Sequence, residues 1–197
     1  MTRLLPAVAC LLLCARLAVA APSVHLIPTP SQVTLGQGRF TFTPATRLCL
    51  GRPQDAQDLF AAGQLVEEVH ASLGFRPSIS SPVGDVRGHV LIVRLGRDAA
   101  AEAALDRLHL RMPDKLNGPF ARERLDQGYV LSVEPGGVVL AARSARGAYY
   151  GVQTLRQLVR ANVGEKSIPA CRIVDYPALA YRCWQLDVSR GPIPTLD

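Results

Sequence analysis

Apolar residues recur along this chain at two spacings, and the switches between them mark out its elements. Between Asp55 and Leu73, the residues Leu59, Ala62, Gly63, Val66, Val69 and Leu73 return at helical spacing. Asp55 is placed to cap the start of that helix and Gly74 to stop it, and Pro77 prevents its continuation. Glu67, Glu68 and His70 fall off the stripe, which assigns them to a solvated face. A second helix is predicted over Ala145–Ala161 behind a Ser144 cap. Its apolar face is Ala145, Ala148, Tyr149, Val152, Leu155 and Leu158, which turns Arg156, Gln157 and Arg160 outward. Ala99–Leu108 reads as a shorter helix.

Strand signals are briefer. Residues 33–35, residues 39–42 and Arg47–Leu50 are short candidates separated by Gly36, Gly38 and Pro44. The continuous apolar run over residues 89–95, closed by Gly96, fits a central strand. Residues 129–133 and 138–142 pair as a hairpin across Glu134-Pro135-Gly136-Gly137, where proline sets φ and glycine supplies positive φ. Residues 112–126, broken by Pro113, Gly118 and Pro119, read as a surface loop. Ile168 and residues 171–174 read as short strands leading away. The sum is an α+β layer: an antiparallel or mixed sheet covered on one face by two helices.

Composition narrows the class. The chain has 197 residues, 48% hydrophobic and 19% charged, enough for one domain with a real core. Arg3, an apolar run over residues 4–13 and the small-x-small site Ala18-Val19-Ala20 read as a signal peptide over residues 1–20. The run is shorter than the ~20 apolar residues that span a bilayer. The mature protein is therefore expected to be secreted or periplasmic, with no membrane association after removal of the signal. Setting Arg3 and Arg16 aside lowers the formal charge of +6 by two. The remaining basic residues are scattered, not gathered in a stripe with aromatics between them, which argues against a nucleic-acid partner.

Chemistry-bearing motifs are sparse. The mature part keeps Cys49, Cys171 and Cys183, an odd number that leaves at least one thiol unpaired within the monomer. Any one of the three possible pairs is open, and the default reading is small buried hydrophobes. No Cys/His spacing suggests zinc, and there is no nucleophile elbow or phosphate loop, so no cofactor is expected. The glycines of Gly36-Gln37-Gly38 and Pro135-Gly136-Gly137 read as turn glycines.

Three stretches add a resemblance. Gln127-Gly128-Tyr129-Val130-Leu131-Ser132-Val133, the hairpin, and the run Gly147-Ala148-Tyr149-Tyr150-Gly151-Val152-Gln153-Thr154-Leu155-Arg156-Gln157-Leu158 resemble the end of the N-terminal domain of family 20 glycoside hydrolases. His25-Leu26-Ile27-Pro28-Thr29-Pro30 resembles the opening of that domain. Asp175-Tyr176-Pro177-Ala178-Leu179-Ala180-Tyr181-Arg182 and Leu186-Asp187-Val188-Ser189-Arg190 resemble the start of the family's catalytic (β/α)8 barrel. The resemblance implies an N-terminal α+β domain over residues 21–176 and the first strand of a truncated barrel over residues 177–197.

The resemblance also implies a β-N-acetylhexosaminidase acting on terminal N-acetylhexosamine. Such enzymes cleave by substrate assistance, in which the sugar's acetamido oxygen attacks the anomeric carbon. An aspartate orients the acetamide and a glutamate serves as general acid and base. That Asp-Glu pair lies far downstream in the family, and no Asp-Glu pair occurs in this chain. The chain is accordingly read as a fragment with no catalytic residue and no activity alone. Arg182 is the one candidate substrate-binding residue: the resemblance implies that the arginine at this position hydrogen-bonds hydroxyls of the terminal N-acetylhexosamine, for which a guanidinium's fixed donors are suited. The competing reading of Arg182 is a structural pairing within the barrel. Asp187 and Arg190 are read as structural. Two departures stand out: Cys183 replaces a common glycine, and Gly191-Pro192-Ile193-Pro194 replaces a common His-Phe-Phe. The alternative is a non-catalytic exported accessory or sugar-binding domain, for which aromatic residues at 6% are few.

Overall fold

The computed structural model describes residues 24–81 and 87–183. The expected signal segment and the barrel-strand residues Trp184, Leu186, Asp187, Val188 and Arg190 lie outside the described residues. The elements run β1 (Gln32–Thr41), β2 (Arg47–Leu50), α1 (Ala56–Leu73), β3 (Ser78–Ser80), β4 (Val90–Arg94) and α2 (Ala99–Leu108). They continue with α3 (Ala121–Asp126), β5 (Tyr129–Glu134), β6 (Gly137–Ala142), α4 (Ala145–Ala161), a 3-10 turn at Val163–Glu165, and β7 (Ser167–Asp175).

The described strands form one seven-stranded sheet in the order β1-β7-β5-β6-β4-β2-β3. It is mixed. β3, β2, β4 and β6 run parallel, while β5 and β7 pair antiparallel and β1 closes the edge antiparallel to β7. All five residues of β4 are buried, because neighbouring strands flank it and both of its faces are covered. Val90 and Ile92 join Leu131 and Leu140 under α1 and α4, which supply Leu65, Val69, Val152 and Leu155. The alternate residues Leu91 and Val93 point to the opposite face. There they meet Leu105 of α2, together with Leu110 and Met112. Two helices do cover one face, as expected, but α2 and the segment after it cover the middle of the other.

Several expectations shift in detail. The two pieces over residues 33–35 and 39–42 are a single strand, β1, interrupted by a bulge. Its register against β7 slips between Leu35 and Arg39, and Gly38 takes φ 87° there. Ile168 and residues 171–174 do not lead away; they are parts of β7, inserted between β1 and β5. The loop over residues 112–126 ends in the short helix α3. The helix bounds hold: the Asp55 side chain accepts from the amides of Gln57 and Asp58, and Ser144 accepts from Gly147.

The face of α1 was misread. Its buried residues are Asp58, Ala61, Ala62, Leu65, Glu68 and Val69, while Leu59 is exposed. The helix is turned because two of its carboxylates find arginines. Asp58 lies 2.7 Å from Arg94, itself buried on β4. Burial pushes the Asp58 carboxyl above its ordinary value despite the Arg94 bonds that pull it down. Glu68, assigned by sequence to a solvated face, is 4% exposed and sits between α1 and α4 with Arg156 and Arg160. Ser72 also donates to it at 2.9 Å.

Candidate functional site

Helix α4 lies unusually close to the sheet. A Cβ added at Gly147 would fall 2.2 Å from the backbone oxygen of Gly128, and one at Gly151 would fall 2.2 Å from Cδ1 of Leu140. Only glycine permits that approach. It brings one side of α4, carrying Tyr150, Gln153, Thr154 and Gln157, over the ends of β5 and β7.

Each of those four residues has a task. The Tyr129 hydroxyl on β5 lies 2.6 Å from the Thr154 hydroxyl and donates to Asp175 at 3.2 Å. Burial pushes the Tyr129 hydroxyl well above its ordinary pKa. The other oxygen of Asp175 accepts from the amide and hydroxyl of Ser31 at 2.9 and 3.0 Å. Gln157, expected to face outward, grips the leading segment: its Oε1 accepts from the Ile27 amide at 2.9 Å and its Nε2 donates to the Ile27 carbonyl at 3.0 Å. Gln153 accepts from Arg156 at 2.7 Å, while its buried Nε2 has no partner among the described residues.

Tyr150 belongs to a second set of contacts, made to the chain as it leaves β7. Arg124 of α3 donates to the Pro177 carbonyl at 2.9 Å, and Gln127 donates to the Ala180 carbonyl at 2.8 Å. Arg182 closes the clamp. Its Nη2 donates to Gln127 Oε1 at 2.6 Å and to the Tyr150 hydroxyl at 3.0 Å, and its Nη1 donates to the Leu179 carbonyl at 2.5 Å. The guanidinium also stands 5.3 Å from the Tyr150 ring centroid. The resemblance singled out Arg182; the structure adds Gln127 and Tyr150 around it, and Arg124 on the same departing segment.

Between the leading and departing segments lies a cleft of about 520 Å³, lined by Ile27, Gln127, Tyr150, Gln153, Leu179 and Arg182 among others. Asp175 is the only carboxylate on the described lining, and Ser31 and Tyr129 already hold it. Among the described residues the cleft therefore has no pair of carboxylates to act as acid and base. Among the described residues, no group of three or more His, Cys, Asp or Glu could hold a metal ion. No helix of the described residues is long and apolar enough to cross a membrane. Cys49, Cys171 and Cys183 are all free thiols. The first two are buried as the sequence suggested, and burial pushes the Cys171 thiol up to about 11. Cys183 is exposed.

A mixed sheet with two helices on one face, one of which, α4, also holds the segment before β1 and the segment after β7, defines an α+β domain. The model of glycosyl hydrolase family 20, domain 2, matches residues 23–176, and the chain belongs to that family. A β-hexosaminidase of Porphyromonas gingivalis is 27% identical over 175 residues, which cover 85% of this chain and 19% of that protein. A β-N-acetylhexosaminidase of Cellulomonas fimi is 30% identical over 171 residues, covering 86% of this chain and 29% of that protein. The solved chitobiase of Flavobacterium johnsoniae shares the fold with a TM-score of 0.57 at 20% identity, over 86% of this chain and 23% of that one. The chain thus spans less than a third of the length of these relatives.

Proposed function

We propose that this chain is the N-terminal part of a secreted or periplasmic β-N-acetylhexosaminidase. The complete enzyme removes terminal N-acetylhexosamine by the substrate-assisted, retaining route, in a barrel that follows residue 176. The observation that carries this reading is the family match over residues 23–176, together with two relatives named as hexosaminidases. The described cleft supports the other half of the proposal, that the chain is inactive alone. Its single carboxylate is occupied, and cleavage by this route needs an orienting aspartate and an acid/base glutamate.

Two roles compete for Arg182. Gln127, Tyr150 and the Leu179 carbonyl already engage three of the five guanidinium donors, including both on Nη2. That clamp favours a structural role, fixing the departing chain, over direct contact with substrate.

The test is hydrolysis of a chromogenic N-acetyl-β-D-glucosaminide by the purified chain and by the complete product of its gene. Turnover by the complete product alone is the expected result. Robust turnover by the 197-residue chain refutes its inactivity. No turnover by either refutes the enzyme reading.

A further inference from the structure

The two edges of the sheet are built differently. One edge, β3, is three residues long and follows directly on Pro77. Short length and proline are devices that keep an edge strand from pairing with another chain. The other edge, β1, is ten residues long, and among the described residues no strand pairs with its outer side. Its second half is guarded. The bulge between Leu35 and Arg39 breaks the register, and Arg39 puts a charge there, held by Glu165 at 2.8 Å. Its first half, residues 32–35, carries no charge, no proline and no bulge. Val33 and Leu35 stand there 38% and 45% exposed. They lie opposite Ile173 and Cys171, which belong to the helix-covered core. The apolar layer of the sheet therefore continues past the helices to an open edge. Thr34, on the other face, lies opposite the exposed Arg172.

We infer that the first half of β1 is a self-pairing edge, joining two copies of the chain into one continuous sheet across a twofold axis at Thr34. The inference does not depend on the function proposed above. The strand is its own complement in one register. With Thr34 opposite Thr34 of a second copy, Val33 of each lies opposite Leu35 of the other, so the exposed apolar side chains cover one another. The two threonine hydroxyls meet on the other face and can hydrogen-bond. Moving the register by two residues sets an apolar side chain against Ser31 or Gln37 instead. Moving it by one puts the apolar faces of the two copies on opposite sides of the joint sheet. A stretch without charge meets its own copy without repulsion, whereas a charged peptide finds no counter-charge along it. These features select a second copy as the occupant. The contact is shorter than a standard stable interface, so association is weak and depends on concentration.

The test is analytical ultracentrifugation of the purified chain and of the complete gene product over a range of concentrations, joined to a disulfide scan of the chain. Both proteins should shift from monomer toward dimer as concentration rises. Leu35→Lys removes both symmetry-related Val33–Leu35 pairs and brings two like charges near the axis, so it should weaken association about tenfold or more. Ile79→Lys, at a similarly exposed position on β3, should leave it unchanged. An unchanged urea midpoint checks that each variant keeps its fold; should Leu35→Lys shift it, the disulfide scan decides alone. With Cys10, Cys14 and Cys183 replaced by serine, only the buried Cys49 and Cys171 remain. In that background Thr34→Cys should close a disulfide with its copy, because residues facing across an antiparallel pair stand about 4.5–5.5 Å apart at Cα. Gln32→Cys should not, because its copy lies about 13 Å away along the strands. Monomer at every concentration in either protein overturns the inference. So does association untouched by Leu35→Lys, association weakened equally by Ile79→Lys, or equal crosslinking at residues 32 and 34.

Discussion

Two arginine clusters tie α4 to the rest of the molecule, and they differ in nearly every respect. Near the C-terminal half of the helix, Arg156 and Arg160 converge on the buried carboxylate of Glu68 on α1. Near its N-terminal half, Arg182 converges on Tyr150 and on Gln127. The first cluster joins two helices inside the layer, and the carboxylate at its centre has no water to fall back on. The second joins the finished domain to the chain that leaves it, and its arginine is exposed. A buried ion pair is costly to break because removing one partner strands the other. An exposed pair contributes little stability but still sets a geometry. The comparison separates what holds this fold from what aims its departing chain.

The strongest way to collapse the comparison is to lift the whole helix. Gly147→Ala places a methyl against the Gly128 backbone oxygen, which cannot rotate away, and both clusters lose their register. A loss of about 3 kcal/mol is expected, at the upper end for overpacking, and urea unfolding reads it.

Glu68→Ala breaks only the inner cluster. Removing one partner of a fully buried pair costs about 3–5 kcal/mol. Arg160 reaches solvent here and can rehydrate, so about 2 kcal/mol is expected.

Glu68 also gives the comparison a pH signature. Burial raises its pKa, but hydrogen bonds from Arg160 and Ser72 and the charges of Arg160 and Arg156 outweigh that. They hold the carboxyl below its ordinary 4.5. A depressed folded pKa contributes stability that is present above the unfolded value and is lost as pH falls through the folded one. The stability gap between the native chain and Glu68→Gln should therefore be constant near neutrality and close below about pH 4.5. A gap that persists undiminished to lower pH contradicts the assignment.

The smallest effect on stability is expected from Gln127→Ala. It removes the donor to the buried Ala180 carbonyl and the acceptor for Arg182, whose guanidinium is exposed and can turn to water. A loss of about 1 kcal/mol should register in urea.

The sequence made the inner architecture legible wherever the signal was local. The caps Asp55, Gly74 and Ser144, the β4 run and the Pro135-Gly136 turn all act within a few residues of themselves, and their elements stand where predicted. What escaped depends on distant partners. Glu68 looked solvated because the arginines that bury it lie 88 and 92 residues away. β7 looked detached because its position comes from β1, whose paired residues are far back in the chain. The clamp was half legible: the resemblance singled out Arg182, but Gln127 is 55 residues away, with nothing nearby to point to it. One signal was available. Tyr150, Gln153, Thr154 and Gln157 recur at helical spacing, a polar stripe beside the apolar one, and a polar stripe on a packed helix needs something polar to hold.

The most direct test of this division uses the exposed thiol beside the clamp. A nitroxide label on Cys183, with Cys10 and Cys14 replaced by serine, reports the mobility of the departing segment, since Cys49 and Cys171 are buried. The account predicts a more mobile label in Gln127→Ala and an unchanged spectrum in folded Glu68→Ala. A label freed equally by both changes, or by neither, would contradict the claim that one cluster holds the fold and the other aims the chain.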